Sequence, residues 1–376
     1  MVAKGGASIV ACRELGDALN LRAKVMLANS RGRQAGSVVL PWLPTAARAR
    51  SPHPTSTPTL RSRKCLFPCN LAGMASNPSW PDLPLSAWSD TCETLHRWTQ
   101  IVGKVRMVLT PLVNHWWNVT LYVTSRGLTT SPIPADGRTF ELLFDFHNHQ
   151  LIFETSDGAV EHLALAPMSV ARFYSEVTDR LGRLGIKLKI WTMPSEIEHA
   201  VPFDQDHAHA HYDPVMVRRF WEALVQADRV FKDFRSRFIG KVSPVHFFWG
   251  SFDLAVTRFS GRRAPPPGGV TPNIAGWVMA EAYSHEVSSC GFWPGNGGYG
   301  RAAFYVYAYP EPPGYGDIQL RTPDAFYDKA LGQFILPYDA VSQAADPDAL
   351  LLGFLQETYD GAAKLAHWDR HALERP

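Results

Sequence analysis

The chain has 376 residues and a formal net charge of +2, but its charge is unevenly distributed. Residues 1–74 carry 11 basic and two acidic residues, whereas residues 75–376 carry 26 basic and 33 acidic residues, a net charge of −7. An acidic body argues against a nucleic-acid partner, because phosphate binding requires a basic face. No apolar run approaches the roughly 20 residues of a membrane span. Only two cysteines lie in the acidic body, which predicts a reducing, cytoplasmic location.

The first 74 residues are rich in Arg, Ser, Ala and Pro and nearly free of acidic residues. This composition is typical of an organellar transit peptide, and equally of a reading frame begun too far upstream of Met74. We therefore predict a disordered basic leader over residues 1–74. Organellar import is expected only if this leader is a true transit peptide.

Four helices are predicted in chain order, each from a capping residue followed by an apolar stripe. The first begins at Ser89, and the second begins after Ser169 and stops at Gly185. The third and fourth open with Asp-Pro pairs at Asp213 and Asp346. An aspartate caps free amide groups and a proline fits the first helical turn, so both pairs indicate a helix start.

Strands are predicted between these helices wherever apolar and polar residues alternate. The predicted strands are VTLYVT, FELLFDFHNHQLIFET as a hairpin turning at Asn148, IKLKIW, FFWGSFDLAVTRFSG, HEVSSCGFW and AFYVYAYPE. Hairpins mixed with helices, without regular strand–helix–strand units, predict an α+β fold with mainly antiparallel sheet and packed helices.

An internal repeat is predicted from two similar stretches that begin at His115 and at His246. Each has a histidine, two aromatic residues, an alternating strand, a threonine and arginine, and a proline-rich turn. We therefore predict two pseudo-symmetric repeats of helix plus strands. The first half covers residues 75–202, a linker covers 203–212, and the second half covers 213–376, with both halves forming one compact body.

The stretches SPVHFFWGSFDLAVTRFSGRRAPPP, YSHEVSSCGFWPG and FYVYAYPEP resemble an uncharacterised bacterial family, the Domain of Unknown Function 5996 type. The resemblance covers essentially residues 80–370. It implies a soluble, stand-alone bacterial-type protein, with residues 1–74 as an appendage. It implies no activity, so no catalytic residue is carried over from it.

Two histidine-rich segments could hold a metal or could be structural. In FDQDHAHAHYDP, His207, His209 and His211 could bind zinc with a neighbouring aspartate. We favour a polar linker, because nothing fixes its backbone, and then expect exposed histidines that do not converge. In DFHNHQ, Asp145 and His147 could form an acid/base or metal cluster, and the alternative is a solvated hairpin tip.

The strongest candidate site combines the strand after His246 with the segment YSHEVSSCGFW. His246 and Arg258 are expected on one strand face, with His285 and Glu286 nearby. The predicted roles are acid/base catalysis by His246, His285 and Glu286, or binding of a divalent Zn, Fe or Mn ion by the same three residues. Arg258 would bind a substrate carboxylate or phosphate. The alternative is a buried structural ion-pair network.

Aromatic residues make up 12% of the chain, and they suggest the wall of a cleft. We predict that Asp253, Trp249 and Tyr307 bind substrate beside Arg258, and the alternative is a sheet face covered by the last helix. Two functions follow: a small-molecule enzyme with a His/Glu/Arg pocket, with or without a metal, or a non-catalytic small-ligand-binding protein. A small-molecule ligand is expected, and no nucleic-acid or membrane partner.

Overall fold

The computed structural model describes residues 80–376, so the predicted leader lies outside the described part of the chain. The α-helices are α1 (Ser89–Leu109), α2 (Val170–Arg183), α3 (Pro214–Ser236), α4 (Gly276–Ala282), α5 (Tyr338–Ser342), α6 (Pro347–Leu365) and α7 (Arg370–Leu373). Among the described residues, no helix is long and apolar enough to cross a membrane.

Twelve strands are found in residues 80–376, and they are all short or of moderate length. They are β1 (Tyr122–Val123), β2 (Gly127–Thr129), β3 (Ile133–Ala135), β4 (Arg138–Asp145), β5 (Gln150–Thr155), β6 (Val160–Ala164), β7 (His246–Phe248), β8 (Asp253–Arg263), β9 (His285–Trp293), β10 (Ala303–Tyr309), β11 (Phe326–Asp328) and β12 (Gln333–Pro337). Every recorded pairing between them is antiparallel, so the predicted α+β fold with mainly antiparallel sheet is confirmed.

Side-chain caps explain where three of the helices begin. The Ser169 hydroxyl accepts from an amide in the first turn of α2, Asp213 accepts from two amides of α3, and Asp346 accepts from one amide of α6. Such caps contribute about 1 kcal/mol each. The start of α1 differs from the prediction, because Trp88 is the cap residue there and no side chain caps it.

The first sheet has the order β1-β2-β4-β5-β6, with β3 also paired to β4. Alternate residues of β4, among them Phe144, are buried in the core shared with α1 and α2. There Trp98 of α1 stacks on Phe173 of α2, with ring centroids 4.5 Å apart. The apolar faces predicted for the strands and the helices therefore pack together in one core.

The second sheet has the order β11-β12-β10-β9-β8-β7. One face packs against α3 and α6 through a layer of apolar side chains, and its members include Leu254, Val256, Phe292 and Phe304. The two sheets meet at one bridge, where Leu121 and Phe247 exchange backbone hydrogen bonds of 2.9 Å in both directions. The strand orders of the two sheets differ, and the internal repeat stays a prediction.

Two strand predictions need correction. IKLKIW forms no strand, because no described strand runs beside residues 186–191 to complete a ladder, and Ile186 and Ile190 instead enter the core. The stretch after His246 is a hairpin rather than one strand. The turn of this hairpin includes Phe252 with φ +61°. In the hairpin, His246 pairs with Ala255, whose side chain points to the face opposite to that of Arg258. His246 therefore lies on the sheet face opposite to Arg258, not on the same face.

Candidate functional site

The face of the second sheet that points away from α3 and α6 carries the candidate site, and we refer to the group of acidic and tyrosine side chains on it as the cleft. Cross-strand register places Gly291 between Ala255 and Tyr305, and it places Ser289 between Thr257 and Tyr307. Small residues at the centre leave room for the tyrosines. A Cβ on Gly291 would collide with the Tyr305 hydroxyl and would lie 2.6 Å from the carbonyl oxygen of the adjacent strand.

Asp253 is the first acidic group of this cleft and is only 6% exposed. It begins β8, and its carboxylate accepts hydrogen bonds from the hydroxyls of Ser251 and Tyr305. Burial raises the pKa of Asp253, although the two hydroxyl donors act in the opposite direction by stabilising the anion. Burial and the neighbouring Asp253 also raise the pKa of Tyr305, so its hydroxyl stays protonated and can donate.

Glu196 is the second acidic group, and it comes from the connection between α2 and α3. Its backbone adopts φ +60°, a costly conformation for a residue with a side chain. Its amide donates to the carbonyl of Pro272 at 2.9 Å. Its carboxyl lies over Gly250, where a Cβ would stand 2.1 Å from Oε1. Only glycine at position 250 allows this approach.

The environment of Glu196 combines solvent exposure of the side chain with close packing around the carboxyl. Burial first, and then the charge of Asp253, raise its pKa to about 7. Two carboxyls that repel each other do not both ionise readily, so ionisation of Asp253 opposes that of Glu196.

Buried polar side chains of α1 form hydrogen bonds with the two loops that carry Asp253 and Glu196. His96 Nε2 lies 2.8 Å from the carbonyl oxygen of Gly250, and its Nδ1 lies 3.2 Å from Nδ2 of Asn296. Burial lowers the pKa of His96 to about 4, so the ring is neutral and Nε2–H donates to Gly250. Gln100 exchanges two hydrogen bonds with the backbone of Ser195, the residue before Glu196.

Lys104 supports the same connection from below. Its ammonium donates to the carbonyl of Met193 at 2.8 Å and lies 4.9 Å from the ring of Trp191. The residue is 1% exposed, and burial lowers the pKa of its amine to about 7. Because it does not reach solvent, Lys104 positions the loop rather than contacting a ligand.

Tyrosines form the wall of the cleft. The hydroxyls of Tyr283 and Tyr307 lie 3.1 Å apart, and the ring of Tyr305 stacks on that of Tyr307 at 6.1 Å. Tyr309 packs against Tyr283 with centroids 5.2 Å apart. Among the groups that raise the pKa of Tyr283 are the carboxylates of Glu196 and Asp253. The cleft therefore combines two carboxyls with electron-rich rings.

The structure brings together only part of the predicted substrate-binding set. Asp253 and Tyr307 both line the cleft. Trp249 lies in the adjoining turn but is buried, where its Nε1 donates to the Val119 carbonyl at 2.6 Å. Its indole fills the space over Gly103 of α1, where a Cβ would collide with it. Trp249 thus anchors the turn that carries Gly250.

Arg258 does not take the predicted role of binding substrate. It is 1% exposed and lies on the helix-facing side of β8. Its guanidinium packs 3.5 Å from the ring centroid of Phe234 and 4.3 Å from that of Tyr359, and it donates to the carbonyl of Phe234 near the end of α3. An arginine in this position binds helix carbonyls that lack an intrahelical partner.

The predicted set of His246, His285 and Glu286 does not converge. His246 is buried between aromatic rings, with Nδ1 3.0 Å from the Thr120 hydroxyl, and burial lowers its pKa to about 3. Glu286 forms a 2.7 Å ion pair with Arg262. His285 is adjacent to Glu286 on β9, so their side chains point to opposite faces. Within residues 80–376, no group of three His, Cys, Asp or Glu residues could hold a metal ion, so this predicted metal site is wrong.

The two histidine-rich segments have structural contacts. In the first, His207 and His211 are exposed, while His209 Nδ1 lies 2.8 Å from the buried carboxylate of Asp206. In the second, Asp145 accepts hydrogen bonds from the amides of the turn that follows it and pairs with an arginine. The histidines of the first segment therefore do not converge, as expected, but its backbone is not free, because Asp206 accepts hydrogen bonds from the amides of Ala208 and His209. The contacts of Asp145 are those of a hairpin turn.

Sequence reasoning missed Glu196, Gly250 and Tyr305 as parts of one site. Glu196 lies in MPSEIEHA, a stretch without periodicity, and only the fold brings it to Gly250. Tyr305 was visible only as one of three tyrosines on a strand face. The one local signal was the spacing of Ser251 and Asp253, in which a hydroxyl two residues before a carboxylate can donate to it.

Neither the curated proteins nor the solved structures contain a match to this chain. A family model described as a family of unknown function, DUF5996, matches residues 80–375. The matched range contains both sheets and every residue of the cleft. This confirms the resemblance expected from the sequence motifs, and the chain therefore belongs to the DUF5996 family.

Proposed function

We propose that this protein is a small-molecule enzyme that uses general acid–base catalysis in the cleft between Glu196 and Asp253. The observation that carries the proposal is the pairing of two carboxyls in different environments. Asp253 is held by two hydroxyl donors, whereas Glu196 is held over Gly250 with a pKa of about 7. A carboxyl with a pKa near neutral pH, beside a second carboxyl that has its own hydroxyl donors, suits acid–base catalysis.

Glu196 is the group that exchanges a proton with substrate. A pKa near the working pH gives a useful fraction of both the acid and its conjugate base. Hydrogen bonds from Ser251 and Tyr305 stabilise the ionised form of Asp253. When ionised, Asp253 stabilises positive charge that develops on a bound molecule. Substrates that suit this cleft are small polar molecules with a hydroxyl or amine group within reach of the two carboxyls.

A second candidate is a binding protein for an amine or ammonium compound. It is favoured by the wall of Tyr283, Tyr307 and Tyr309 beside two carboxyls, because aromatic faces and carboxylates both attract cations. Under this alternative, a ligand binds in the cleft without being converted, and Asp253 supplies the counter-charge.

A screen for turnover separates the two candidates. Wild-type protein is incubated with hydroxylated and amine-containing small molecules, and conversion is followed by mass spectrometry. The matched variants are Glu196→Gln and Asp253→Asn, with Glu286→Gln as the control glutamate outside the cleft. We expect conversion that falls at least about 100-fold in the two cleft variants, as for loss of a catalytic acid or base, and stays unchanged in the control.

The pH profile adds a second readout. The rate should have an ionisation near pH 7 that is absent in Glu196→Gln. Binding that requires Asp253, without conversion of any compound, would favour the binding protein. Conversion that survives both cleft substitutions would contradict both candidates.

A further inference from the structure

A second group of polar side chains lies outside the acidic cleft, and we refer to His115, Lys241, Arg263 and His285 as the basic cluster. The Lys241 ammonium donates to His115 Nε2 at 2.7 Å. His115 Nδ1 lies 3.0 Å from the carbonyl oxygen of Ala282, which fixes that nitrogen as the donor. His115 is therefore neutral, and both of its ring nitrogens are engaged.

The remaining members approach from β8 and β9. The ring of His285 lies 5.5 Å from that of His115, and His285 Nδ1 lies 3.0 Å from the Ser284 hydroxyl. Arg263 is opposite His285 in the strand register, and its charge acts on His285. Lys241 and Arg263 are exposed and His285 is half-buried, so the cluster is accessible to a ligand.

Within residues 80–376, the positive charge of the basic cluster is not paired with a carboxylate in any recorded salt bridge. Burial first, and then positively charged neighbours, lower the pKa values of His115 and His285. The two acids nearest along the chain form no ion pair with the basic cluster. Glu286 pairs with Arg262, and Glu281 of α4 forms no recorded salt bridge.

Aromatic rings desolvate the ammonium of Lys241. Its Nζ lies 4.7 Å from the ring centroid of Phe259 and 5.3 Å from that of Trp117. Burial accordingly lowers the pKa of this lysine. A partly desolvated cation attracts an anion more strongly than one in bulk water, because the local dielectric constant is lower.

We infer that the basic cluster binds an oxyanion, either free phosphate or an anionic phosphate or carboxylate group on a small molecule. Lys241, held in place by His115, contributes its ammonium protons. His285 contributes Nε2–H when protonated, and Arg263 can bind two oxygens at once. The site adjoins the acidic cleft, because Tyr283 and His285 are two residues apart, at most about 7 Å between Cα atoms. The inference does not depend on catalysis by Glu196.

Protonation of His285 links this binding to pH. The pKa of His285 is lowered, so the ring is mostly neutral at pH 7. An anion stabilises the protonated ring, and binding must therefore take up a proton and raise this pKa. The other groups that face His285 are the neutral His115 and the cations Lys241 and Arg263, and the anion balances the charges of Lys241 and Arg263 as well.

Calorimetric titration of the full chain with sodium phosphate, in a chloride-containing buffer, tests the inference. We expect saturable binding of phosphate. Sulfate keeps the same charge from pH 6 to pH 8, and we expect it to bind more tightly at pH 6 than at pH 8. Lys241→Gln should weaken phosphate binding about tenfold, the effect of losing one charged hydrogen bond. The matched control is Lys189→Gln, an exposed lysine in the other half of the chain, and it should leave binding unchanged.

A second variant and a second readout keep the test independent of folding. Arg263→Gln changes an exposed side chain, and it should also weaken binding several-fold. NMR titration should show a higher His285 pKa with phosphate present. Competition by acetate would identify a carboxylate-compatible site, and binding of phosphate alone would identify a phosphate site. The inference is overturned if no saturable binding occurs, or if Lys189→Gln weakens it as much as Lys241→Gln.

Discussion

Gly250→Ala should displace the carboxyl of Glu196 while changing the stability of the fold little. The new Cβ would stand 2.1 Å from Glu196 Oε1 and 3.0 Å from Cδ. Ordinary contact begins near 3.4 Å, so Oε1 must move by roughly 1.3 Å, and a displacement of about 1 Å can cost about 100-fold in rate. The backbone of Gly250 is not in the left-handed region, so alanine itself is not strained there.

The expected stability change is small, because the colliding atom is the end of a flexible side chain. We predict a change within about 1 kcal/mol in the free energy of unfolding, since alanine also restricts the unfolded chain. The pKa of Glu196 should fall from about 7 towards its ordinary value as the carboxyl turns to solvent. Carboxyl-carbon NMR titration and urea unfolding measure the two quantities.

A matched control is Gly353→Ala in α6, where the added Cβ meets no atom within 4 Å. It should stabilise the helix by up to about 1 kcal/mol and leave the Glu196 pKa unchanged. The reasoning is refuted if Gly250→Ala unfolds the protein like a core mutation, or if the pKa of Glu196 does not move.

Three further substitutions test the supporting structure. Gly291→Ala should destabilise by about 1–3 kcal/mol or more in urea unfolding, because its Cβ would lie 2.6 Å from the rigid carbonyl of Leu254; a neutral effect would contradict the close approach of β8 and β9. The wild type should gain stability as pH rises from about 7 towards 10, because unfolding then takes up a proton on Lys104. Lys104→Met should reduce this pH dependence of stability. If urea unfolding shows that the stability of Lys104→Met rises with pH as steeply as that of the wild type, the dependence does not come from Lys104. Arg258→Met should cost about 1–3 kcal/mol through the lost hydrogen bond to Phe234 while leaving phosphate binding intact, and lost binding in calorimetry would restore the predicted ligand role of Arg258.

The local elements were predictable because their signals are local. The caps Ser169, Asp213 and Asp346 place three helix starts correctly, and the hairpin at Asn148 follows from its turn residues. The face of a strand was harder to predict. The turn that includes Phe252 reverses the chain, and this moves His246 away from the face of Arg258.

The candidate site was only partly predictable, since its members are distant in sequence. Asp253 and Tyr307 were assigned to ligand binding from two separate strand motifs, β8 and β10. Glu196 joins them through a loop with an unusual backbone, and the supporting contacts come from His96 and Gln100 of α1. Periodicity carries no information about such long-range convergence.

A crystallographic fragment screen tests the central claim most directly, because it needs no knowledge of the substrate. Crystals of the full chain would be soaked with several hundred small polar and aromatic compounds. The account predicts that bound fragments concentrate in the cleft and contact Asp253, Glu196 or the hydroxyl of Tyr305. It is contradicted if the cleft stays empty while fragments collect in the apolar groove between α1 and α2, which is lined by Val105, Val177 and their neighbours.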